Sequence, residues 1–290
     1  MGNVNYTYLC DDALRIEFNP ISRRPQHWTA ELLNTASIIK QQSERPIVLA
    51  LSGGIDGEVA ALSLLKNNID FSAISIRHVA GTNMHDIRYA IDFCAKNNIQ
   101  HHIVDIDYQT FLDITIEKYI EQGYKATNVF RYLQLFIIDT VESMGGRAIL
   151  GGGEQIFNLH DGEICVEYSA EHLVPLEYCR RNKVDHIPYF HLVTPELLAS
   201  YLNIDLVDFL LKTPLYFRTP TYRLSIEKIL VYHAYWDMVR RPKFHGFERV
   251  GTETQQKIDN LMTRFPGIPT TFIPVTALKQ QLGMDKFTLS

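Results

Sequence analysis

The residues best suited to chemistry stand together at the end of one short apolar run. Ile47–Leu51 has the composition of a buried β-strand and is followed by a polar, glycine-rich turn that contains Ser52, Gly53, Gly54 and Asp56. A strand that passes through glycines into a helix start binds anions, because unpaired backbone N–H groups point at the ligand and glycine allows close approach. A carboxylate repels a bare phosphate, so Asp56 indicates a metal ion beside the anion or a role in ordering the turn. The pattern predicts a cradle for the phosphates of a magnesium–nucleotide complex, and an ordinary glycine turn is the simpler alternative.

A second glycine-rich turn follows another apolar run. Gly151, Gly152 and Gly153 stand in succession, and three glycines permit a close approach of the backbone to a ligand. Glu154 comes next, and magnesium favours carboxylate oxygens alongside substrate phosphates. The alternative is a flexible glycine linker to a second domain. The position at a predicted strand end favours the ligand site.

A basic stretch, Arg240-Arg-Pro-Lys243, follows a long helical pattern. Pro242 helps to end that helix. Lys243, with Arg241 in support, is suited to neutralise the charge that develops on a departing pyrophosphate. Taken alone, such a stretch is typical of a solvated helix end, where cations contact the last carbonyl groups.

The composition indicates a folded, mildly acidic protein. The chain has 290 residues, of which 46% are hydrophobic, and its formal net charge is −5. This length suits one large domain or two modest ones, and global disorder is excluded by the apolar content. The acidic balance disfavours a general nucleic-acid or membrane-surface binder, although it leaves a local basic patch open.

The cysteines, the chain start and the hydropathy pattern predict a cytoplasmic location. Cys10, Cys94, Cys165 and Cys179 include no Cys-x-x-Cys pair, and the histidines lack metal-binding spacing. We expect free thiols in a reducing compartment, without a secretory segment. No apolar run approaches the roughly 18 residues that a membrane helix requires.

Strand-like and helical patterns alternate in the first half of the chain. Strands are predicted at Ile47–Leu51, Phe71–His78, His102–Ile106 and Arg147–Leu150, and helices are predicted over 28–41, 57–68, 86–97, 108–121 and 126–144. This alternation predicts βαβ units and an α/β fold with a doubly wound parallel sheet. Both glycine turns then fall at the carboxyl ends of strands, where such sheets bind ligands.

The sequence divides into three predicted parts. Residues 1–45 form an N-terminal helical cap, residues 46–153 form the nucleotide-binding α/β domain, and residues 154–290 form a mostly helical substrate-binding region that returns Lys243 to the active site. In this last part a strand or hairpin is predicted within 165–174, and helices are predicted over 195–202, 204–212, 221–239, 253–264 and 276–282.

The turn Ser52-Gly-Gly-Ile-Asp-Gly57 closely resembles the Ser-Gly-Gly-x-Asp-Ser loop of the PP-loop ATP pyrophosphatases, with Gly57 in place of the last serine. The layout of about residues 35–250 is similar to the synthetase domain of asparagine synthetases. Their second loop resembles residues 149–157, with Glu154 on the position of an aspartate and Gly151 on that of an earlier glutamate. Their Arg-Pro-Lys stretch is also similar, although here His245 makes the spacing one residue longer.

The resemblance implies an adenine nucleotide α-hydrolase-like (HUP-type) fold that uses ATP and Mg²⁺. It implies catalytic roles for Lys243 and Asp56, and metal contacts from Asp56 and Glu154. The family's upstream helical lysine is matched by Lys228. The implied nucleotide-binding residues are Leu51, Ser52, Gly53, Gly54, Asp56, Gly57, Gly152, Glu154, Lys228, Arg241 and Lys243.

The implied activity is that of an AMP-forming ligase. A carboxylate or amide-type oxygen of a small molecule would be adenylated with release of pyrophosphate, and a nitrogen nucleophile would then displace AMP. Only about 45 residues precede the loop, which leaves no room for the family's glutaminase domain, and the chain starts with Met-Gly rather than Met-Cys. We therefore expect ammonia to arrive free or from a separate partner, or to be replaced by another amine. The acceptor and the oligomeric state, including a homo-oligomer, stay open.

Two other functions fit the same motifs. The first is a PP-loop enzyme that modifies tRNA or a nucleobase, against which the acidic charge and the absence of paired cysteines count. The second is a catalytically silent ATP- or AMP-binding regulatory protein. It is motivated by Gly57 and Gly151, which replace polar family residues. The retained Ser52, Asp56, Glu154 and Lys243 count against it.

Overall fold

The computed structural model of the protein describes residues 4–10, 13–153, 157–212, 226–242 and 246–287. The chain begins with an antiparallel hairpin of β1 (Val4–Cys10) and β2 (Ala13–Phe18), followed by helix α1 (Trp28–Gln41). The sequence predicted α1 with these bounds but not the hairpin. The predicted N-terminal helical cap therefore also contains a two-stranded sheet.

A parallel four-stranded sheet forms the centre of the fold. Its strands and helices are, in chain order, β3 (Ile47–Ala50), α2 (Ile55–Lys66), β4 (Ser72–His78), α3 (Met84–Lys96), β5 (His101–Ile106), α4 (Tyr108–Thr110), α5 (Ile116–Glu121), α6 (Val129–Ser143) and β6 (Arg147–Leu150). The strand order is β5-β4-β3-β6, and each neighbouring pair is parallel. This confirms the predicted α/β class. The helix predicted over 108–121 is interrupted by a π-helical turn, Phe111–Thr115.

Helices cover both faces of this sheet, because successive residues of a buried parallel strand point to opposite sides. In β3, Leu49 belongs to the core that contains α1 and α2, through Leu32 and Leu64. Its neighbour Val48 belongs to the other core, which contains α6 through Leu135. All five of these residues are buried, so the sheet is doubly wound as the sequence predicted.

The C-terminal part is mostly helical and carries a second small sheet. Its elements are, in chain order, β7 (Phe157–His160), β8 (Glu163–Ser169), α7 (Val174–Asn182), α8 (Pro195–Leu202), α9 (Asp205–Leu211), α10 (Ile226–Tyr235), α11 (Thr252–Arg264), β9 (Thr270–Pro274) and α12 (Val275–Gln281). The antiparallel order is β7-β8-β9, with Ser169 opposite Thr270. The strand or hairpin predicted within 165–174 is confirmed in part by β8, whereas the sequence did not predict β9.

One helix ends earlier than the sequence indicated. The helix predicted over 221–239 ends at Tyr235 in the structure, and its first residues, before 226, lie outside the described part of the chain. Trp236 follows the helix and is buried. Among the helices that the structure describes, none is long and apolar enough to cross a membrane.

Candidate active site

The two glycine turns start side by side at the carboxyl edge of the central sheet. Strands β3 and β6 are neighbours, and Ala50 pairs with Leu150. From β3 the chain builds β4 and β5 on one side and then returns to add β6 on the other. The order of the strands therefore reverses between β3 and β6. Open α/β sheets bind their ligands in the crevice at such a reversal.

The backbone of the first turn requires glycine at position 53. Gly53 has φ +98°, and a Cβ atom on it would lie 2.2 Å from the carbonyl oxygen of Asp86. The amide of Gly54 donates to the hydroxyl of Ser52 at 3.3 Å, and this serine is exposed. Helix α2 begins immediately afterwards at Ile55. The helix start presents its unpaired N–H groups and the positive end of its dipole toward this turn.

The two turns touch each other through glycines. A Cβ atom on Gly151 would lie 2.5 Å from the Cα atom of Gly57 and 2.7 Å from its nitrogen. These are backbone atoms, so a side chain at 151 would force the turns apart. The two positions that differ from the resembled loops therefore lie against each other, and the absence of a side chain at Gly151 leaves room for the backbone of Gly57.

The second turn is held against the segment before α8. The amide of His191 donates to the carbonyl oxygen of Gly152 at 3.3 Å. Gly153 has φ +101°, and a Cβ atom there would lie 2.7 Å from that of Tyr189. These contacts disfavour a flexible linker. The predicted metal ligand Glu154 lies outside the described residues.

Both turns open onto a cavity of about 480 Å³. The end of β4, the start of α6, strand β8 and residues after α10 complete its walls. The predicted nucleotide-binding residues that line it are Leu51, Ser52, Gly53, Gly54, Asp56, Gly57, Gly152 and Arg241. Lys228 belongs to α10, whose His233 lines the cavity, but the side chain of Lys228 is not described. Lys243 falls in the undescribed stretch 243–245.

Arg241 reaches this edge through a buried ion pair. Its guanidinium donates to the carboxylate of Glu58, in the first turn of α2. Both side chains are almost fully buried, at 4% and 9% exposure, and the guanidinium lies 5.0 Å from the ring centre of Tyr89. The basic stretch is therefore fastened directly to the helix that follows the first turn. The sequence suggested that Arg241 contacts phosphate, whereas in the structure at least one of its N–H groups donates a hydrogen bond to Glu58.

Asp86 is a cavity-lining carboxylate that sequence reasoning missed. It lies in the first turn of α3, and a Cβ atom on Gly53 would be 2.8 Å from its Oδ1 atom. Burial, opposed by His85, raises the pKa of Asp86 to about 6. One pattern could have identified it: an acidic residue at the start of the helix that follows a strand adjoining β3.

An aromatic wall, formed by His78, Tyr108, Phe130 and Phe247, stands beyond the end of β4. The rings of His78 and Tyr108 are 4.4 Å apart, and those of Phe130 and Phe247 are 4.9 Å apart. All but Tyr108 line the cavity. Burial, with His85 nearby, lowers the pKa of His78 to about 4, so the ring is neutral near pH 7. Flat uncharged faces of this kind suit a planar ring in the ligand.

The sequence matches no protein-family model and has no match among curated proteins. Among solved structures, the chain is similar to NMN synthetase from Francisella tularensis, with 15% identity over 91% of this chain and 95% of that one, and a TM-score of 0.36. It is also similar to NH3-dependent NAD synthetase from Campylobacter jejuni, with 17% identity over 82% of this chain and 95% of that one, and a TM-score of 0.34. A third similar structure is the U34-tRNA thiolase NcsA from Methanococcus maripaludis, with 14% identity over 91% of this chain and 81% of that one, and a TM-score of 0.37. These likenesses are distant and assign no role to any residue of this chain. None of the three is an asparagine synthetase, and that finer resemblance stays a prediction.

Proposed function

We propose that this protein is an ATP-dependent enzyme that releases pyrophosphate while it activates an oxygen of an acceptor molecule. The observation that carries the proposal is the contact of the two glycine turns at the strand reversal, with Asp56 and Arg241 on the same cavity. A site of this kind offers backbone N–H groups to phosphates, and its position is where α/β sheets bind ligands.

The proposed reaction forms one phosphorus–oxygen bond and breaks another. The acceptor oxygen attacks the α-phosphorus of ATP, the bond from that phosphorus to the bridging oxygen breaks, and pyrophosphate leaves with the electron pair. A nitrogen nucleophile then displaces AMP from the activated acceptor. The protein's part is mainly to position the reactants and to stabilise charge. Ser52 and the start of α2 would hold the phosphates, and Lys243 would face the leaving pyrophosphate.

A magnesium ion is proposed to accompany the nucleotide, and carboxylates are the ligands that it would take from this chain. Magnesium in nucleotide sites is held by one or two carboxylates together with phosphate oxygens and water. Asp56 lines the cavity beside the first turn, and Glu154 follows the second turn in sequence. The ion, when bound, would offset phosphate charge and orient the leaving group. Asp86 is a further carboxylate on the cavity wall, and its Oδ1 atom would lie 2.8 Å from a Cβ atom on Gly53.

The aromatic wall is proposed to bind the adenine base. Phe130, Phe247 and His78 line the cavity at the end of β4, on the strand next to the first turn. Base stacking on such rings contributes about 1–3 kcal/mol per base. The acceptor would then occupy the part of the cavity toward β8. A small metabolite and a base of tRNA are both accommodated by this reaction.

A product assay tests the proposal. Purified protein, ATP and magnesium are incubated with a cell extract that is split by size into small metabolites and RNA. Asp56→Ala is the test variant, and Asp70→Ala, an exposed aspartate just after α2, is the matched control. We expect AMP and pyrophosphate from the wild type and Asp70→Ala, only with one of the two fractions, and none from Asp56→Ala.

The other outcomes point to different functions. Activity with the RNA fraction alone identifies a nucleic-acid acceptor. Measurable ATP binding without AMP formation favours the silent nucleotide-binding protein. ADP and phosphate as products contradict the proposal, because the bond between the β- and γ-phosphates would then be the one that breaks.

A further inference from the structure

Arg131 is a cation on the cavity wall that has no role in the proposed reaction. It lies in the first turn of α6 and lines the cavity with Gln134 and Asn128. The side chain of Asn128 caps the helix by accepting from the amide of Phe130 at 2.9 Å. Because α6 leads directly into β6, its start lies at the same edge of the sheet as the two glycine turns.

The guanidinium of Arg131 has few internal partners. Its Nη1 atom donates to Gln134 at 3.1 Å. Its Nε atom is buried and has no hydrogen-bond acceptor among the described residues, within which Arg131 also joins no ion pair. In contrast, Arg147 pairs with Asp185 at 2.8 Å. A buried charged donor costs free energy unless an acceptor satisfies it.

Arg131 and the first turn are connected to helices on opposite faces of the sheet. The helix that follows the turn, α2, packs on the face of the sheet that carries Leu49, whereas α6 packs on the face that carries Val48. The cavity spans the edge between these faces. This arrangement favours an anion at Arg131 that is separate from the phosphates proposed for Ser52 and the start of α2.

We infer that Arg131, assisted by Gln134, binds an anionic group of the acceptor, either a carboxylate or a phosphate. This inference rests on the proposed function and narrows its substrate class to acceptors that carry a negative charge. A guanidinium offers a planar fork of donors that matches two oxygens of either group. Its role is to hold the acceptor so that the reacting oxygen faces the nucleotide.

Titration calorimetry in two stages tests the inference. The first stage measures α,β-methylene-ATP, which is not cleaved, with magnesium. The second stage adds malonate or inorganic phosphate to protein already saturated with that nucleotide, and so distinguishes a carboxylate site from a phosphate site. The proteins are the wild type, Arg131→Gln, Arg131→Lys and the control Arg24→Gln, whose arginine is exposed and does not line the cavity.

We expect nucleotide affinity to stay within about twofold in all four proteins. In the second stage, Arg131→Gln is expected to weaken anion binding by about 10- to 100-fold, since hydrogen bonds to charged groups are the stronger class. Arg131→Lys keeps the positive charge but lacks the planar fork of donors, so its anion affinity should lie between those of the wild type and Arg131→Gln. Arg24→Gln should match the wild type.

Three results would overturn the inference. One is the absence of malonate and phosphate binding to the nucleotide-saturated wild type. Another is equal anion binding by Arg131→Gln and the wild type. The third is an equal loss of nucleotide affinity in Arg131→Gln, which would assign Arg131 to the nucleotide site. Failure of the wild type to bind the nucleotide at all would instead contradict the proposed function.

Discussion

Arg241 and Glu58 are 183 residues apart in the chain, and their side chains form a buried ion pair at the start of α2. The pair connects the C-terminal region to the helix that follows the first glycine turn. Two further contacts involve helix α3. The ring of Tyr89 lies against the guanidinium of Arg241, and His85 forms a hydrogen bond of 2.8 Å with Glu248. Residues on both sides of the 243–245 stretch are thereby held on α2 and α3. The predicted catalytic residue Lys243 belongs to that stretch.

Removing one partner of this pair should destabilise the fold strongly. Glu58→Gln or Arg241→Gln leaves the other group buried without its counter-charge, which typically costs about 3–5 kcal/mol. The double variant Glu58→Leu/Arg241→Met should recover part of that loss. Urea denaturation measures the free energy of unfolding. The control is Arg77→Gln, whose pair with Asp105 is exposed to solvent and should contribute little to stability. Equal losses in Glu58→Gln and Arg77→Gln would contradict the prediction.

The contact between Gly57 and Gly151 should make the second position intolerant of any side chain. Gly151→Ala places a Cβ atom 2.5 Å from backbone, so the turns must separate. We expect a loss of about 1–3 kcal/mol in stability. We also expect about tenfold or more weaker ATP binding, because the phosphate-binding groups would be displaced. Gly251→Ser is the control, since nothing lies within 4 Å of a Cβ atom there and serine suits its helix-capping position.

Gly57→Ser restores the serine of the family loop and should be milder. A Cβ atom at 57 meets Leu51 Cδ2 at 3.1 Å and the carbonyl oxygen of Ala50 at 3.2 Å, so a small shift accommodates it. We expect a folded protein with stability within about 1 kcal/mol of the wild type. Its turnover in the product assay shows whether glycine at this position limits catalysis. Unfolding of this variant would contradict the prediction and would mean that Leu51 and Ala50 cannot shift enough to accept a side chain at 57.

The pH dependence of stability should reveal two opposing groups. Asp86 has its pKa raised to about 6, so it favours folding when protonated, and that contribution is lost as the pH rises from about 4 to 6. His78 has its pKa lowered from 6.5 to about 4, so its contribution is lost as the pH falls through the same range. The two slopes partly cancel in the wild type.

Substitution separates the two slopes. Asp86→Asn should leave a stability that rises between pH 4 and 6.5, with a gain over the wild type at pH 7 of about 1–3 kcal/mol. His78→Phe should leave a stability that falls as the pH rises over this window. Urea denaturation at several pH values provides the measurement. Parallel pH profiles for Asp86→Asn and the wild type would show that Asp86 does not titrate in this range.

The aromatic wall should contribute to ATP affinity but not to pyrophosphate affinity. Phe247→Ala removes one ring of the wall, and we expect about tenfold weaker ATP binding from the loss of base stacking. Pyrophosphate, which has no base, should bind as to the wild type. Phe209→Ala is the control, because that ring is 63% exposed and does not line the cavity. Equal losses for ATP and pyrophosphate would place the effect on the turns rather than on the base.

The sequence by itself determined the elements whose signals are local. Strand-like runs such as Ile47–Leu51, the helical periods between them and the glycines after two strands depend on side-chain alternation and backbone freedom over a few residues. From these followed the parallel α/β sheet and the position of both turns at its carboxyl edge. The predicted bounds of α1, β6 and α8 agree with the structure for the same reason.

Only the tertiary structure decided which distant residues meet. Four such contacts cannot be read from any periodic pattern in the sequence. They are the pairing of β9 with β8, the approach of Asp86 to Gly53, the hydrogen bond from Arg241 to Glu58 and the position of Arg131 on the cavity wall. Each depends on how whole elements pack, and the free energy of such packing is shared among many residues far apart in sequence. The glycines of the two turns could be recognised one turn at a time. That Gly57 and Gly151 touch became evident only when β3 and β6 were placed side by side.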